Sequence, residues 1–136
     1  YAFYALNNSP IIINSLNDAQ PYVIGIQNGG ITEEYLFSEG FKKLHPVTTP
    51  KQNLGKLLKG RIDLWYVNNA TLVEQAKIMS IPLSQLREVF VVKNERFYIG
   101  FNKNTPDKII ALWQNTYQHL HQQGIIKQIY KNYQLW

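Results

Sequence analysis

The stretch from residue 23 to residue 37, "VIGIQNGGITEEYLF", sets the architecture of this chain. Its first part is a near-continuous apolar run, typical of a strand that is buried on both faces of a parallel sheet. Its last part predicts a helix that ends near Gly40. Asn28-Gly29-Gly30 joins the two, so we predict a strand that enters a helix through two consecutive glycines.

Two explanations of these glycines are open. The first N–H groups of a helix have no internal partner and carry partial positive charge, and glycine lets an anion approach them closely. In this explanation Gly29 and Gly30 leave their N–H groups free for a ligand in a cleft. The alternative is a tight turn capped by Thr32, with Glu33 and Glu34 complementing the helix dipole.

Strands and helices alternate along the rest of the chain. "YAFYAL", "RIDLWYVNN", "REVFVV" and "RFYIGFNK" predict strands, and Ser15 caps a short helical turn. Helices are predicted between Pro50 and Gly60, over "ATLVEQAKIM", from a cap at Thr105 up to Gly124, and beyond that glycine. This order indicates an α/β fold with a mostly parallel sheet flanked by helices. In such sheets ligands lie beyond the carboxyl ends of the strands.

Composition excludes several classes of protein. With 136 residues, 45% of them hydrophobic, the chain is one globular domain by length. It has no cysteine, so it has no disulfide framework, thiol nucleophile or cysteine metal site. No apolar run approaches the roughly 20 residues of a membrane span. The chain begins at Tyr1, and we expect a processed protein or a fragment.

Charge and motifs point away from nucleic acid and from catalysis. The net charge is +5, but the lysines and Arg61 of residues 42–61 form no dense run, so we expect a solvated basic surface. His119 and His121 lie two apart on a helix and make a poor metal pair. No catalytic signature is present, and we expect no enzyme activity, metal or cofactor.

Three segments in order resemble a known family. "IGIQNGGITEEYL", then "LLKGRIDLW", then "FYIGFNKNTPD" with a helix that ends "QQGIIKQIYKNY" are similar to the extracellular solute-binding proteins of family 3. These are type II periplasmic binding proteins that serve polar amino acid uptake. The resemblance covers nearly the whole chain, and it implies a periplasmic-binding-protein-like lobe with C-terminal helices.

The resemblance also implies a division of the chain. Residues 1–20 would be a crossover strand and its connection, residues 21–93 the second lobe, and residues 94–136 the return crossover with the C-terminal helical segment of the first lobe. The N-terminal part of the first lobe would have no counterpart. The apolar positions of residues 102–136 would then need another cover, so we expect self-association or folding back on the chain's own sheet.

One position departs from the family pattern. The family's Gly-Arg-x-Asp entry matches Gly60, Arg61 and Asp63, and the residue five positions later, which is an Asp in the family and takes the ligand's ammonium group, is Asn68. We expect a structural role for Asp63 and predict that Asn68 points into the cleft near the two glycines. An amide supplies no countercharge to an ammonium, and a charge-assisted hydrogen bond is roughly twice as strong as a neutral one.

The predicted site combines the residues around the two glycines with those around Asn68. Trp65 could stack on a ligand, although core packing is an alternative, and Asn69 is expected to cap the following helix. The predicted ligand-binding residues are Gln27, Asn28, Gly29, Gly30, Ile31, Thr32, Trp65, Asn68 and Asn69.

The sequence is compatible with three functions. The resemblance implies a periplasmic solute-binding protein, here a fragment, that takes a small polar, amino-acid-like or carboxylate ligand and feeds the permease of an ABC uptake transporter. A ligand-sensing domain of a receptor or regulator is the first alternative. A small-acid lyase of the cyclohexadienyl dehydratase type is the second.

Overall fold

A computed structural model describes residues 1–95 and 98–133 of the chain. The chain divides into two compact units, Tyr1–Glu95 and Arg96–Trp136, which we call unit 1 and unit 2. Unit 1 contains five strands and three α-helices, and the described part of unit 2 contains two α-helices. This confirms the predicted α/β class.

The strands and helices alternate much as the sequence predicts. The strands of unit 1 are β1 (Ala2–Leu6), β2 (Ile24–Gln27), β3 (Leu44–Val47), β4 (Leu64–Val67) and β5 (Leu86–Val91). Its helices are α1 (Ile31–Ser38), α2 (Pro50–Leu58) and α3 (Asn69–Ile78), with short 3₁₀ turns at Leu16–Ala19 and Leu83–Gln85. Unit 2 contains α4 (Asp107–Gln122) and α5 (Ile125–Asn132).

The five strands form one mixed sheet in the order β3-β2-β4-β1-β5. β2 pairs in parallel with β3 and β4, whereas β1 lies antiparallel between β4 and β5. Four strands therefore run in one direction. The carboxyl ends of β2 and β4 meet at the same edge of the sheet, and each leads directly into a helix.

Glycine and proline mark the helix ends in unit 1. α2 begins with Pro50, preceded by Thr49, whose N–H donates to Gln52 Oε1 at 3.0 Å. Gly40 and Gly60 follow α1 and α2 with φ of 83° and 62°, a left-handed conformation that glycine adopts without strain. The predicted ends of both helices are confirmed.

Two local predictions are wrong. No strand forms over Tyr98–Lys103, the described part of "RFYIGFNK", while Arg96 and Phe97 lie outside the described residues. A strand needs a neighbouring strand for its backbone hydrogen bonds, and this segment has none in the part of the chain that the structure describes. The cap of α4 is Pro106 rather than Thr105, so the helix starts one residue later than expected.

Both faces of the sheet are buried because side chains alternate along each strand. On one face Phe3, Leu64 and Tyr66 pack with Leu36 of α1. On the other face lies a second cluster, built from β1, β4 and β5 together with α2 and α3, whose buried members are Ala2, Tyr4, Leu54, Leu57, Ile62, Trp65, Val67, Leu72, Ala76 and Leu86. Helices therefore cover the sheet on both sides.

Asp63 joins the starts of β2 and β4. Its Oδ2 accepts a hydrogen bond from the Val23 N–H at 2.8 Å, and its own N–H donates to the Val23 carbonyl at 2.9 Å. These bonds lie at the amino ends of the strands, opposite the edge at which the helices begin. The structural role expected for Asp63 is confirmed.

Unit 2 exposes many of its apolar side chains. Ile109, Leu112 and Trp113 on α4, and Ile125 and Ile129 on α5, have exposed fractions from 37% to 61%. Phe101 packs edge-on against Trp113, with ring centroids 6.2 Å apart. Among the described helices of the chain, none is long and apolar enough to cross a membrane.

Gly25 allows α2 to approach the sheet closely. A Cβ at this position would lie 2.6 Å from Asn53 Oδ1 and 2.4 Å from Ile62 Cδ1. Asn53 is completely buried, and its Nδ2 donates to the Ile26 carbonyl at 2.9 Å. A side chain on residue 25 would therefore displace the helix residue that is hydrogen-bonded to β2.

We predict that Gly25→Ala destabilises the protein by about 1–3 kcal/mol, the usual cost of overpacking a core. Urea unfolding curves of the variant and the parent chain would measure the difference. Gly55→Ala is the matched control, because a Cβ there meets no atom within 4 Å. Its helical position favours alanine by up to about 1 kcal/mol. Equal midpoints for Gly25→Ala and the parent would contradict the close approach.

Candidate functional site

A small cavity lies at the carboxyl edge of the sheet. Its volume is about 60 Å³, and it lies between the ends of β2 and β4 and the first turns of α1, α2 and α3. Its lining residues are Tyr1, Gln27, Thr32, Pro50, Asn53, Trp65, Tyr66, Val67, Asn68 and Thr71. This is the edge at which the sequence places a ligand.

The cavity brings together four of the predicted ligand-binding residues, namely Gln27, Thr32, Trp65 and Asn68. The other five do not line it: Asn28, Gly29, Gly30, Ile31 and Asn69. The loop residues among them are largely exposed and lie at the rim, on the connection from β2 into α1. A ligand larger than the cavity would reach this rim.

The start of α1 differs from both explanations of its glycines. Gly30, and not Thr32, occupies the capping position, so a cap at Thr32 is wrong. The Gly29 N–H is not free, because it donates to Glu33 Oε2 at 2.6 Å. Glu33 therefore occupies one of the donors that were expected to face a ligand.

The following donors of the same loop remain available. The N–H groups of Gly30, Ile31 and Thr32 have no acceptor among the described residues. This is the usual condition of the first turn of a helix. Of the two glycine N–H groups that were expected to be free, the Gly29 group is occupied and, within the described part of the chain, the Gly30 group is free, and the free donors continue into the helix at Ile31 and Thr32.

The start of α3 corrects a second prediction. Asn68 is the cap, and its Oδ1 accepts a hydrogen bond from the Thr71 N–H at 2.8 Å. Asn69 is the first residue of the helix, so the capping role expected for Asn69 is wrong. Both residues are asparagines, which cap helices well, and the sequence alone did not decide between them.

Trp65 belongs mainly to the core. Only 1% of its surface is exposed, and it packs among the residues that α2 and α3 cover. It is also one of the residues that line the cavity. Core packing, the alternative considered for this residue, describes its position better than an open stacking platform does.

Six lining residues were not predicted: Tyr1, Pro50, Asn53, Tyr66, Val67 and Thr71. Two of them carry buried polar atoms without a hydrogen-bond partner among the described residues, Asn53 Oδ1 and the Tyr66 hydroxyl. Burial raises the pKa of Tyr66, so its hydroxyl stays protonated and can donate. Asn53 lies one helical turn before Leu57 on the buried face of α2, and a polar residue on such a face was the available signal.

No charged side chain lines this cavity. Three basic residues, Lys56, Lys59 and Arg61, line a separate groove of about 460 Å³ between β3 and α2. Among residues 1–95 and 98–133 there is no group of three or more His, Cys, Asp or Glu side chains that could hold a metal ion. The arrangement at the sheet edge can form hydrogen bonds with a small polar group.

We predict that Asn68→Ala destabilises the protein by about 1 kcal/mol, because it removes the acceptor for the Thr71 N–H. Thermal or urea unfolding would measure the loss. Asn68→Asp is the control, since a carboxylate at this position retains the capping oxygen. If Asn68→Ala unfolds at the same midpoint as the parent, the capping bond makes no contribution.

Comparisons with known proteins give the fold. No protein-family model matches the chain, and no curated protein matches it. The second substrate-binding domain of Lactococcus lactis GlnP, in an open conformation, superposes with a TM-score of 0.77 and 15% identity over 97% of this chain and 56% of that one.

Two further solved structures are similar. The unliganded, open L-cystine solute receptor of Neisseria gonorrhoeae gives a TM-score of 0.76 and 20% identity over 97% of this chain and 54% of that one. A histidine kinase sensor domain with similarity to periplasmic binding proteins superposes with a TM-score of 0.63 and 21% sequence identity. The match covers 97% of this chain and 57% of that one. The chain therefore has the α/β fold of periplasmic binding proteins, and it spans somewhat more than half the length of these solved chains.

Proposed function

We propose that unit 1 is a solute-binding lobe that holds one side of a small polar, amino-acid-like or carboxylate ligand. The observation that supports this most is the convergence of three helix starts and two strand ends around one polar cavity. Such an edge is where parallel α/β sheets bind ligands. The proposed contacts come from the cavity wall and from the rim at Asn28–Ile31 and Asn69.

We also propose the division of the chain that the family resemblance implies. Residues 1–20 and 21–93 lie within unit 1, and residues 94–136 correspond largely to unit 2. The similar solved chains are nearly twice as long as this one. We infer that a complete site uses a first lobe, of which unit 2 is the C-terminal segment, and that closure of two lobes retains the ligand.

The proposed biological role is capture of a solute outside the cytoplasm for an ABC uptake transporter. The similarity to a cystine receptor and to the GlnP substrate-binding domain supports solute binding. The periplasmic location and the permease partner are parts of this proposal. We propose binding without catalysis, because the similar solved structures are binding proteins and a sensor domain.

A sensing role is the second candidate, and one observation favours it. The similarity to a histidine kinase sensor domain extends over 97% of this chain. In a sensor the same ligand site would control a signalling segment instead of a transporter. Co-purification of the full-length protein with a permease would support transport, whereas ligand-dependent phosphorylation of an attached kinase would support sensing.

We predict that this 136-residue chain binds free amino acids no more tightly than about 1 mM, or about −4.1 kcal/mol. A cavity formed by one lobe leaves most of the ligand in water, where hydrogen bonds give little net free energy. Titration calorimetry on a monomeric sample would test this. Micromolar binding by a strictly monomeric chain would refute the incomplete-site proposal.

We also predict that the chain self-associates through unit 2, because the apolar side chains of α4 and α5 are exposed. Leu112→Glu should weaken this association in sedimentation-velocity experiments at increasing concentration. Ile78→Glu on α3 is the matched control, since Ile78 is 59% exposed and Leu112 is 61% exposed. A monomeric parent, or equal weakening by both variants, would contradict a role for unit 2.

A further inference from the structure

The cavity at the sheet edge offers many hydrogen-bond donors and no negative charge. None of its lining side chains is acidic. The Glu33 carboxylate of α1 accepts a hydrogen bond from the Gly29 N–H at 2.6 Å, at the rim and outside the cavity lining. A cationic group that entered the cavity would therefore lose hydration without meeting a carboxylate among the lining side chains, which is unfavourable.

The side-chain oxygen of Asn68 already accepts one hydrogen bond within the fold. Its Oδ1 receives the Thr71 N–H at 2.8 Å, so the group that it has left for a ligand is mainly its NH₂, which only donates. The capping role thus changes the chemistry of this side chain. An asparagine outside a helix start would offer an acceptor and a donor equally.

The helix starts favour the same ligand chemistry. α1, α2 and α3 each contain eight or more residues, and first-turn residues of all three line the cavity. The start of a helix carries partial positive charge. Those partial charges attract an anion and repel an ammonium group.

A buried hydroxyl in the cavity wall supports this independently. Tyr66 is 1% exposed, and its hydroxyl has no partner in the described parts of the chain. A buried polar group without a partner costs free energy unless a ligand or water satisfies it. With its pKa raised by burial, the hydroxyl remains a donor for an acceptor on the ligand. Asn53 Oδ1, the other orphaned atom, lies over Gly25.

We propose that this site selects ligands that present a carboxylate, or another acceptor, without a neighbouring ammonium group, and that Asn68 sets this selection. The inference rests on the proposed solute-binding function and narrows it to one ligand class, the deaminated acids. In this proposal the Thr32 N–H and the Asn68 amide donate to the ligand's carboxylate in the cavity, and the Gly30 and Ile31 N–H groups are further donors at the rim. An ammonium group that entered the cavity beside the carboxylate would meet no acidic side chain among the lining residues.

The test compares ligands that differ only in the ammonium group. Glutaramate with L-glutamine, and propionate with L-alanine, are titrated into the ¹⁵N-labelled chain, and the amide signals of Gly30, Ile31 and Thr32 report binding. About 0.15 M salt limits long-range attraction to the basic surface, since the Debye length is then about 8 Å. We expect each acid to bind at least about fivefold more tightly than its amino acid, a difference of about 1 kcal/mol.

Asn68→Asp tests the residue itself. The carboxylate retains the capping oxygen and adds a charge, so the variant should fold and should weaken binding of glutaramate about tenfold, or about 1.4 kcal/mol, relative to L-glutamine. Gln85→Glu is the control for charge alone, because Gln85 is exposed, does not line the cavity and makes the same amide-to-acid change. This control should leave the preference for glutaramate unchanged.

The outcomes separate the two proposals. If L-glutamine moves the same amide signals at equal or lower concentration than glutaramate, the selection proposal fails while solute binding stands. The same follows if Asn68→Asp leaves the preference unchanged. If none of the four compounds moves these signals, the proposed function fails, and the selection proposal fails with it.

Discussion

The parallel pairing of β2 with β4 is the constraint on which the site depends. The two strands are separated by some forty residues, and the Asp63 side chain ties the start of β4 to the start of β2. Because the strands start together and run in the same direction, they also end together. Their following loops must then deliver α1 and α3 to one edge, and α2, which precedes β4, begins at that edge after β3. A cavity surrounded by helix starts is a consequence of this geometry.

Stability and binding use the same atoms at this edge. Asn68 directly follows the last residue of β4. Its side chain caps α3, and the residue forms part of the cavity wall. The glycine at position 25 lets α2 approach closely enough for Asn53 to donate a hydrogen bond to the Ile26 carbonyl, one residue before Gln27, which lines the cavity. Glu33 similarly fixes the loop by accepting the Gly29 N–H. The N–H groups that remain free at the site are those without a hydrogen bond to another part of the described fold. The local hydrogen bonds therefore determine which groups can bind a ligand.

Much of this fold could be predicted from local sequence, because Pro50, Gly40 and Gly60 mark helix ends by their own backbone preferences. The order of the strands could not, since the antiparallel insertion of β1 between β4 and β5 depends on pairing between residues that are far apart in the chain. The residues of the site likewise fall into those that local sequence predicts and those that depend on long-range packing. Gln27, Thr32 and Asn68 followed from their positions after strands, whereas Tyr1, Asn53 and Tyr66 reach the cavity only through packing across the sheet. The caps at Gly30 and Asn68 were each misplaced by one or two residues because neighbouring residues cap comparably well.

The size of the cavity limits what unit 1 can achieve alone. Small-molecule sites usually enclose about 300–1,000 Å³ and bury most of the ligand. The cavity at the sheet edge has about 60 Å³, enough for one functional group of a ligand. A single carboxylate in such a place gains hydrogen bonds but exchanges them for those it had with water. Unit 1 can therefore decide which functional group is accepted, while the affinity must come from surfaces that close over the remainder of the ligand.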